Sequence, residues 1–161
     1  LISQVQKNPR GPQILLSRTS PRFLSRLLEL EVPEIAAGTI KVKDIARQPG
    51  ERAKVAVYSE DRDIDPVGAC IGVKGNRILS ILKELDGEKI DIIEWSSDPV
   101  LYAKAALSPA KINRVVITSK EAKEMEARVD NEQFSLAIGK KGMNVRLASK
   151  LVGWKISIKQ E

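Results

Sequence analysis

Residues 71–78 read IGVKGNRI, and residues 138–145 read IGKKGMNV. Both fit the pattern Ile-Gly-x-x-Gly-x-x-aliphatic, and each stands between two stretches whose apolar spacing predicts helices. Glycines permit a tight turn that another chain can approach closely, because they carry no side chain. The helix after each turn begins with free N–H groups and the positive end of its dipole, which attract phosphate. The two stretches therefore predict a pair of phosphate-binding turns.

Lysines inside the turns supply point charges for the same phosphates, and aliphatic residues on the flanking helices predict a shallow apolar groove for bases. This combination is how KH domains bind single-stranded nucleic acid. The predicted RNA-binding residues are Ile71, Gly72, Val73, Lys74, Gly75, Asn76, Arg77, Ile78, Ser135, Ile138, Gly139, Lys140, Lys141, Gly142, Met143, Asn144 and Arg146.

A single Gly-x-x-Gly motif is a weak signal, since ten glycines give roughly 0.6 occurrences by chance in a chain of this length. The competing interpretation is a turn between helices that needs glycine for its shape alone. Two copies with flanking aliphatics, interior lysines and helices on both sides favour the KH interpretation strongly.

The chain also repeats on a larger scale. Each half predicts the order helix, strand, strand, helix, helix, strand, and Gly139 follows Gly72 by 67 positions. Val129 follows Val57 by 72 positions, so the first half should carry extra loop residues around 59–64. We expect an α+β protein of two tandem type II (prokaryotic) KH domains, each a three-stranded sheet covered by helices, at residues 21–96 and 97–161.

Helix starts are marked by a capping residue before proline at Ser20-Pro21, Asp65-Pro66 and Asp98-Pro99. In the second half, Asp130 or Asn131 should cap the helix that precedes the second turn. Both tryptophans, Trp95 and Trp154, flank strands; they are expected to pack between the units rather than to stack on bases.

Charge placement points to a polyanionic partner. The net charge is +6, and residues 133–159 contain no acid but six lysines and arginines. Residues 66–83 are also free of acids. Basic windows of this kind are typical of nucleic-acid-binding surfaces.

Enzyme, metal and membrane classes find no support in the composition. The chain has no histidine and one cysteine, Cys70, which removes the usual general base and the usual nucleophile pairs. The spacing Asp61-x-Asp63-x-Asp65 would suggest a calcium loop, but the glycine and glutamate positions of that loop are Pro66 and Gly72. We therefore expect no enzyme activity, no cofactor, no metal, no membrane association and a cytoplasmic location.

Several longer stretches resemble the KH region of the NusA family of bacterial transcription factors. They are LEVPEI (30–35), DPVGACIG (65–72), GEKIDII (87–93), LSPAK (107–111) and SLAIGK (135–140). Residues 1–20 resemble the end of that family's S1 domain and its linker, and the absence of an initiator methionine suggests an excised fragment. One departure is Met143, where the family pattern leads us to expect glutamine.

The resemblance implies a role in transcriptional pausing, termination and antitermination, exerted through nascent single-stranded RNA. It also implies contact with the RNA polymerase elongation complex through the full-length protein, whereas the fragment should be monomeric. The alternative is a KH module with a mainly structural or protein-interaction role, as in ribosome-associated proteins. An RNA titration would separate these two functions.

Overall fold

The computed structural model describes all 161 residues and contains eight strands in three sheets and seven α-helices. The chain opens with a hairpin of strands β1 (Ile2–Asn8) and β2 (Gly11–Leu16), in which every residue is exposed. None of the helices has the length and apolar character that crossing a membrane would require.

The first repeat unit follows the hairpin and contains a three-stranded sheet. Its elements are α1 (Pro21–Glu31), α2 (Pro33–Ala36), β3 (Ile40–Gln48), β4 (Arg52–Ser59), α3 (Pro66–Ile71), α4 (Asn76–Glu84) and β5 (Lys89–Glu94). Strand β4 lies in the centre, antiparallel to β3 and parallel to β5.

The second repeat unit has the same arrangement, with a central strand antiparallel to its predecessor and parallel to its successor. Its elements are α5 (Pro99–Ala106), β6 (Arg114–Ser119), β7 (Glu124–Val129), α6 (Asn131–Ile138), α7 (Met143–Val152) and β8 (Lys155–Gln160). The predicted order of elements is confirmed in both units, and the short helix α2 is an addition that the sequence did not indicate.

The two units differ in the connection between the central strand and the next helix. Residues 60–65 join β4 to α3, whereas Asp130 alone joins β7 to α6. The prediction of extra loop residues in the first half is therefore confirmed.

Capping side chains start three of the helices as the sequence predicts. Ser20, Asp65 and Asp98 each accept a hydrogen bond from a backbone N–H in the first turn of the helix that follows, and proline occupies the first helical position. Asp130 precedes α6 but makes no such bond, and its carboxylate instead accepts one from Nδ2 of Asn113 at 2.9 Å.

The first unit buries its core between one face of its sheet and its helices. Leu24 and Leu28 on α1 are fully buried and pack in one cluster with Val55 and Val57 of β4 and Ile81 of α4. Each such side chain contributes about 1.5–3 kcal/mol when it leaves water.

The second core continues across the boundary between the units. Its 17 buried residues include Ala46, Ala56 and Ile93, which belong to the first unit's sheet. Helix α7 lies across β3 and β4, so the sheet of the first unit is covered on both faces. Eight residues of this shared core are alanines, namely Ala46, Ala56, Ala103, Ala106, Ala110, Ala127, Ala137 and Ala148. Both Trp95 and Trp154 are partly buried against this shared core.

A buried ion pair secures the start of the first unit. Nε and Nη2 of Arg47 donate to the Glu88 carboxylate at 2.7 and 2.9 Å, with both side chains almost fully buried. The third donor nitrogen, Nη1, donates to the carbonyl oxygens of Arg18 and Ser20 at 2.9 and 3.0 Å. Arg47 thus fixes the segment that leads from the hairpin into α1.

A buried lysine lies on the face of the first sheet that the second unit covers. Nζ of Lys54 donates to Oδ2 of Asp91 at 2.9 Å and to the carbonyl oxygen of Ser108, in the second unit, at 2.8 Å. Burial lowers the pKa of Lys54 from 10.5 to about 8, although the Asp91 charge acts in the opposite direction. The charged form of this lysine therefore costs stability at neutral pH.

We expect the free energy of unfolding of the wild-type chain to rise, relative to that of a Lys54→Met variant, as the pH increases from about 8 to about 10.5. In that range the unfolded chain keeps a proton on Lys54 that the folded chain has released. Unfolding then takes up a proton, which becomes less favourable as the pH rises. The difference between the two pKa values corresponds to about 3 kcal/mol. Urea titrations of both proteins across this range provide the measurement, and parallel curves would contradict the expectation.

Candidate nucleic-acid interface

The two Gly-x-x-Gly turns, which we call loop 1 (Gly72–Gly75) and loop 2 (Gly139–Gly142), have the same backbone conformation. The first glycine has φ 77° and ψ 174° in loop 1, and φ 76° and ψ 168° in loop 2. The third residue is left-handed in both, with φ 52° at Lys74 and at Lys141. The repeat seen in the sequence therefore extends to the detailed shape of the loops.

The first glycine of each loop is required by a close approach to the helix that follows. A Cβ atom on Gly72 would lie 2.3 Å from Oδ1 of Asn76, and one on Gly139 would lie 2.7 Å from Cβ of Asn144. The second glycines, Gly75 and Gly142, are not crowded and have positive φ values. The first glycine thus closes the turn, and the second leaves the backbone open on its outer side.

Helices α4 and α7 begin directly after the two loops, and neither has a side-chain cap or an acidic residue in its first turn. Their first N–H groups are thus left without side-chain acceptors, at the positive end of the helix dipole. An anion such as a phosphate is the kind of group that this end of a helix attracts.

The basic side chains around the loops are free of ion pairs. Lys74, Lys140, Lys141 and Arg146 are exposed, and no carboxylate lies within salt-bridge distance of any of them. Seven of the ten other arginines form a salt bridge with an acid, as do Lys41, Lys54 and Lys155. The positive charge at the loops is therefore available to a ligand.

Apolar surface accompanies this charge. Val73, in loop 1, is 80% exposed, and Ile71 and Leu79 on the flanking helices are also exposed. Beside loop 1 opens a cavity of about 400 Å³, lined by Gly68, Ala69, Gly72, Val73, Asn76 and Arg77. Near loop 2, Leu136 is exposed. Leu79 and Leu136 were not among the predicted site residues, because helical spacing alone does not tell a groove-lining leucine from a core leucine.

Arg77 and Asn144 occupy equivalent positions, the second residue of the helix after each loop, and both bind the protein itself. Nη1 of Arg77 donates to Oε2 of Glu34 at 2.9 Å and to the carbonyl oxygen of Ala69 at 2.6 Å. Nδ2 of Asn144 donates to the carbonyl oxygens of Leu107 and Ala137 at 2.9 and 3.0 Å. Each residue thus fastens the helix before its loop to an earlier part of the same unit.

The burial of Asn144 keeps its side chain from contact with a ligand in solution. Its side chain is fully buried, and its Oδ1 atom has no hydrogen-bond partner. The sequence predicts Asn144 as an RNA contact, but the structure places the side chain where it can hold loop 2 and not where a strand could reach it. Asn144 follows Arg77 by 67 positions, the same spacing that separates Gly139 from Gly72. This spacing indicates from the sequence that Arg77 and Asn144 occupy equivalent positions.

The other predicted site residues lie at or beside the loops. Asn76 and Ser135 are exposed, whereas Ile78, Ile138 and Met143 are half-buried. Met143 packs against the shared core, which accounts for an apolar residue at this position. The structure brings these residues together in two groups, one at each loop.

The lone cysteine of the chain lies next to loop 1. No group of three or more His, Cys, Asp or Glu side chains is placed to hold a metal ion. Cys70 is buried next to loop 1, and burial raises the pKa of its thiol to about 11. The thiol therefore stays protonated at neutral pH, in keeping with its predicted role as a small core residue.

Comparisons with known proteins match this description of the chain. Residues 18–95 match the family described as the NusA-like first KH domain, and residues 99–161 match the NusA-like second KH domain. The crystal structure of APE1850 shares the fold, with a TM-score of 0.60 over 91% of this chain and all of that one, at 23% identity.

Curated relatives carry the name "Transcription termination/antitermination protein NusA". The chain is 54% identical to the protein of Halalkalibacterium halodurans, 53% to that of Bacillus subtilis and 48% to that of Thermus thermophilus, each over 99% of its length. It spans 42%, 43% and 41% of those proteins, respectively. Two family matches that together cover almost the whole chain agree with the two units seen in the structure. The chain therefore belongs to the NusA family, whose first and second KH domains it contains in tandem.

Proposed function

We propose that this chain binds single-stranded RNA through loops 1 and 2, with the sugar-phosphate backbone at the loops and the bases against the neighbouring apolar side chains. The observation that carries the proposal is the pair of loops of the same backbone shape, with one exposed lysine in loop 1 and two in loop 2 that no acid neutralises. A loop between helices that served only for shape would not need unpaired cations at its tip.

The biological setting follows from the family. The relatives are named as transcription termination and antitermination proteins. We infer that nascent RNA is the ligand of the KH pair. We place the chain in the bacterial cytoplasm, as part of a longer factor that contacts the RNA polymerase elongation complex through its other domains. The exposed hairpin of β1 and β2 fits the end of an S1-like domain that precedes residue 21.

Charge reversal in the loops tests the phosphate contacts. We expect the double variant Lys140→Asp/Lys141→Asp to weaken RNA binding by about tenfold or more, because two carboxylates would then repel the phosphates that the lysines attract. Val73→Asp/Lys74→Asp should do the same at loop 1. Fluorescence anisotropy with a labelled single-stranded RNA measures the affinity, and circular dichroism checks the fold.

A matched control carries the same change of charge elsewhere. Lys120 and Lys123 are exposed at the turn between β6 and β7, so Lys120→Asp/Lys123→Asp alters the net charge by as much as the loop 2 variant. This control should keep most of its affinity. Equal losses in both double variants would show that net charge, and not the loop, governs binding, and undiminished binding in the loop variants would refute the phosphate contacts.

Salt dependence provides an independent measure of the footprint. We expect about four to six phosphate contacts, so the logarithm of the binding constant should fall with the logarithm of salt concentration at a slope of roughly −3 to −4 for a single strand. Duplex DNA of the same length should bind much more weakly, because the groove accepts unpaired bases. A chain with a structural or protein-interaction role alone would show no saturable RNA binding in the same titration.

A further inference from the structure

A polar path crosses the boundary between the two units. It starts in the first sheet at Asp91, whose carboxylate is held by Nε and Nη2 of Arg52 at 2.8 and 3.1 Å. The same carboxylate accepts a hydrogen bond from Nζ of Lys54, and this ammonium group also donates to the carbonyl oxygen of Ser108 at 2.8 Å. The first unit thus forms a hydrogen bond with the backbone of the second unit, in the segment that follows α5.

The preceding carbonyl in the chain, that of Leu107, continues the path to loop 2. The oxygen of Leu107 accepts from Nδ2 of Asn144 at 2.9 Å, and the same nitrogen donates to the oxygen of Ala137, two residues before Gly139. Two consecutive carbonyls, those of Leu107 and Ser108, are therefore bound by different side chains. One is bound by the helix that starts at loop 2, and the other by a lysine of the first unit.

The first loop has no such connection to the other unit. Arg77, the counterpart of Asn144, bonds to Glu34 and Ala69, which both lie in the first unit. Loop 1 is thus fixed within its own unit, whereas loop 2 is fixed both within its unit and, through the carbonyls at 107 and 108, to its neighbour.

Stability alone does not account for a lysine at position 54. Its burial lowers its pKa, so the charged side chain is unfavourable there in free-energy terms. Asp91 would still be paired with Arg52 if Lys54 were absent. What Lys54 adds, and what no neighbouring side chain supplies, is the hydrogen bond to Ser108 in the second unit.

We propose that Lys54 is a positioning residue for RNA binding, which acts through Ser108, Leu107 and Asn144 to fix loop 2 relative to loop 1. It thereby determines whether one strand can engage both loops at once. The proposal rests on the proposed function of the two loops. When both loops are held at a set separation, the second contact becomes intramolecular and the affinity for a long strand exceeds that for a short one.

The test compares RNA length with the variants Lys54→Met and Lys41→Met. Each variant loses one positive charge from the first sheet, but Lys41 is exposed and paired with Glu60 of the first unit. The probes are unstructured, fluorescently labelled A/C-rich RNAs of about five nucleotides, which fill one loop, and about twelve nucleotides, which span both. Circular dichroism and thermal unfolding establish that each variant is folded.

We expect Lys54→Met to weaken binding of the long RNA by about tenfold and to leave binding of the short RNA unchanged. In Lys41→Met both affinities should stay within about twofold of the wild type. The amide NMR signals of Lys140, Lys141 and Gly142 should shift in RNA-free Lys54→Met, whereas those of loop 1 should not. A loss of packing without a positioning role would not single out loop 2.

Three results would overturn this inference: an unchanged ratio of long-RNA to short-RNA affinity in folded Lys54→Met, an equal loss in both variants, or unmoved loop 2 signals. If Lys54→Met does not fold, Lys54→Gln, whose shorter side chain cannot span both partners, replaces it with the same expected pattern. A wild-type chain that binds neither RNA would instead contradict the proposed function, so the two failures are distinguishable.

Discussion

The packing of α7 against the sheets of both units is the constraint on which the rest of the molecule depends. This helix follows loop 2 directly, contacts its own strand β8 and lies across β3 and β4 of the first unit. One element therefore follows a Gly-x-x-Gly loop, closes the second core and covers the outer face of the first sheet. Because close-packed interiors transmit strain, the loop 2 end of α7 cannot shift without disturbing both units.

The loops reach one geometry through different supporting chemistry. Their backbone shape depends on residues within four positions of one another, and it recurs in both units almost angle for angle. The contacts that hold each loop in its unit differ. At loop 1, the guanidinium of Arg77 binds the carboxylate of Glu34, whereas at loop 2 the neutral amide of Asn144 binds backbone carbonyls. A carboxylate can serve the first loop, since the side chains of Arg77 and Glu34 both remain partly accessible to water. In the dry surroundings of Asn144, an uncharged donor avoids the cost of burying an ion.

The order of helices and strands, and both loops, could be predicted because their signals are local: apolar spacing, capping residues before proline, and glycines at fixed intervals. Lys54 could not be predicted as buried, since a lysine that alternates with Ala53 and Val55 in a strand normally faces water. Its partners Asp91 and Ser108 lie 37 and 54 residues away in the chain. Asn144 likewise is a polar residue beside a Gly-x-x-Gly loop, which is what an RNA contact would look like in the sequence. Only the folded arrangement of α5, α6 and α7 brings its side-chain amide to the backbone carbonyls with which it forms hydrogen bonds.

The alanines of the shared core have a consequence for how this pair of domains can change. Eight of its 17 residues are alanines, whereas the core of the first unit contains one, Ala53. Short side chains let the backbones of the two units come close, and they leave no flexible tips that could adjust to a larger neighbour. A larger residue in place of Ala56 would push the two units apart, because the neighbouring side chains are too short to repack around it. A different angle between the two units would consequently require simultaneous substitutions on both sides of their interface. We therefore expect this angle to change slowly in evolution, even where the surrounding surface residues vary freely.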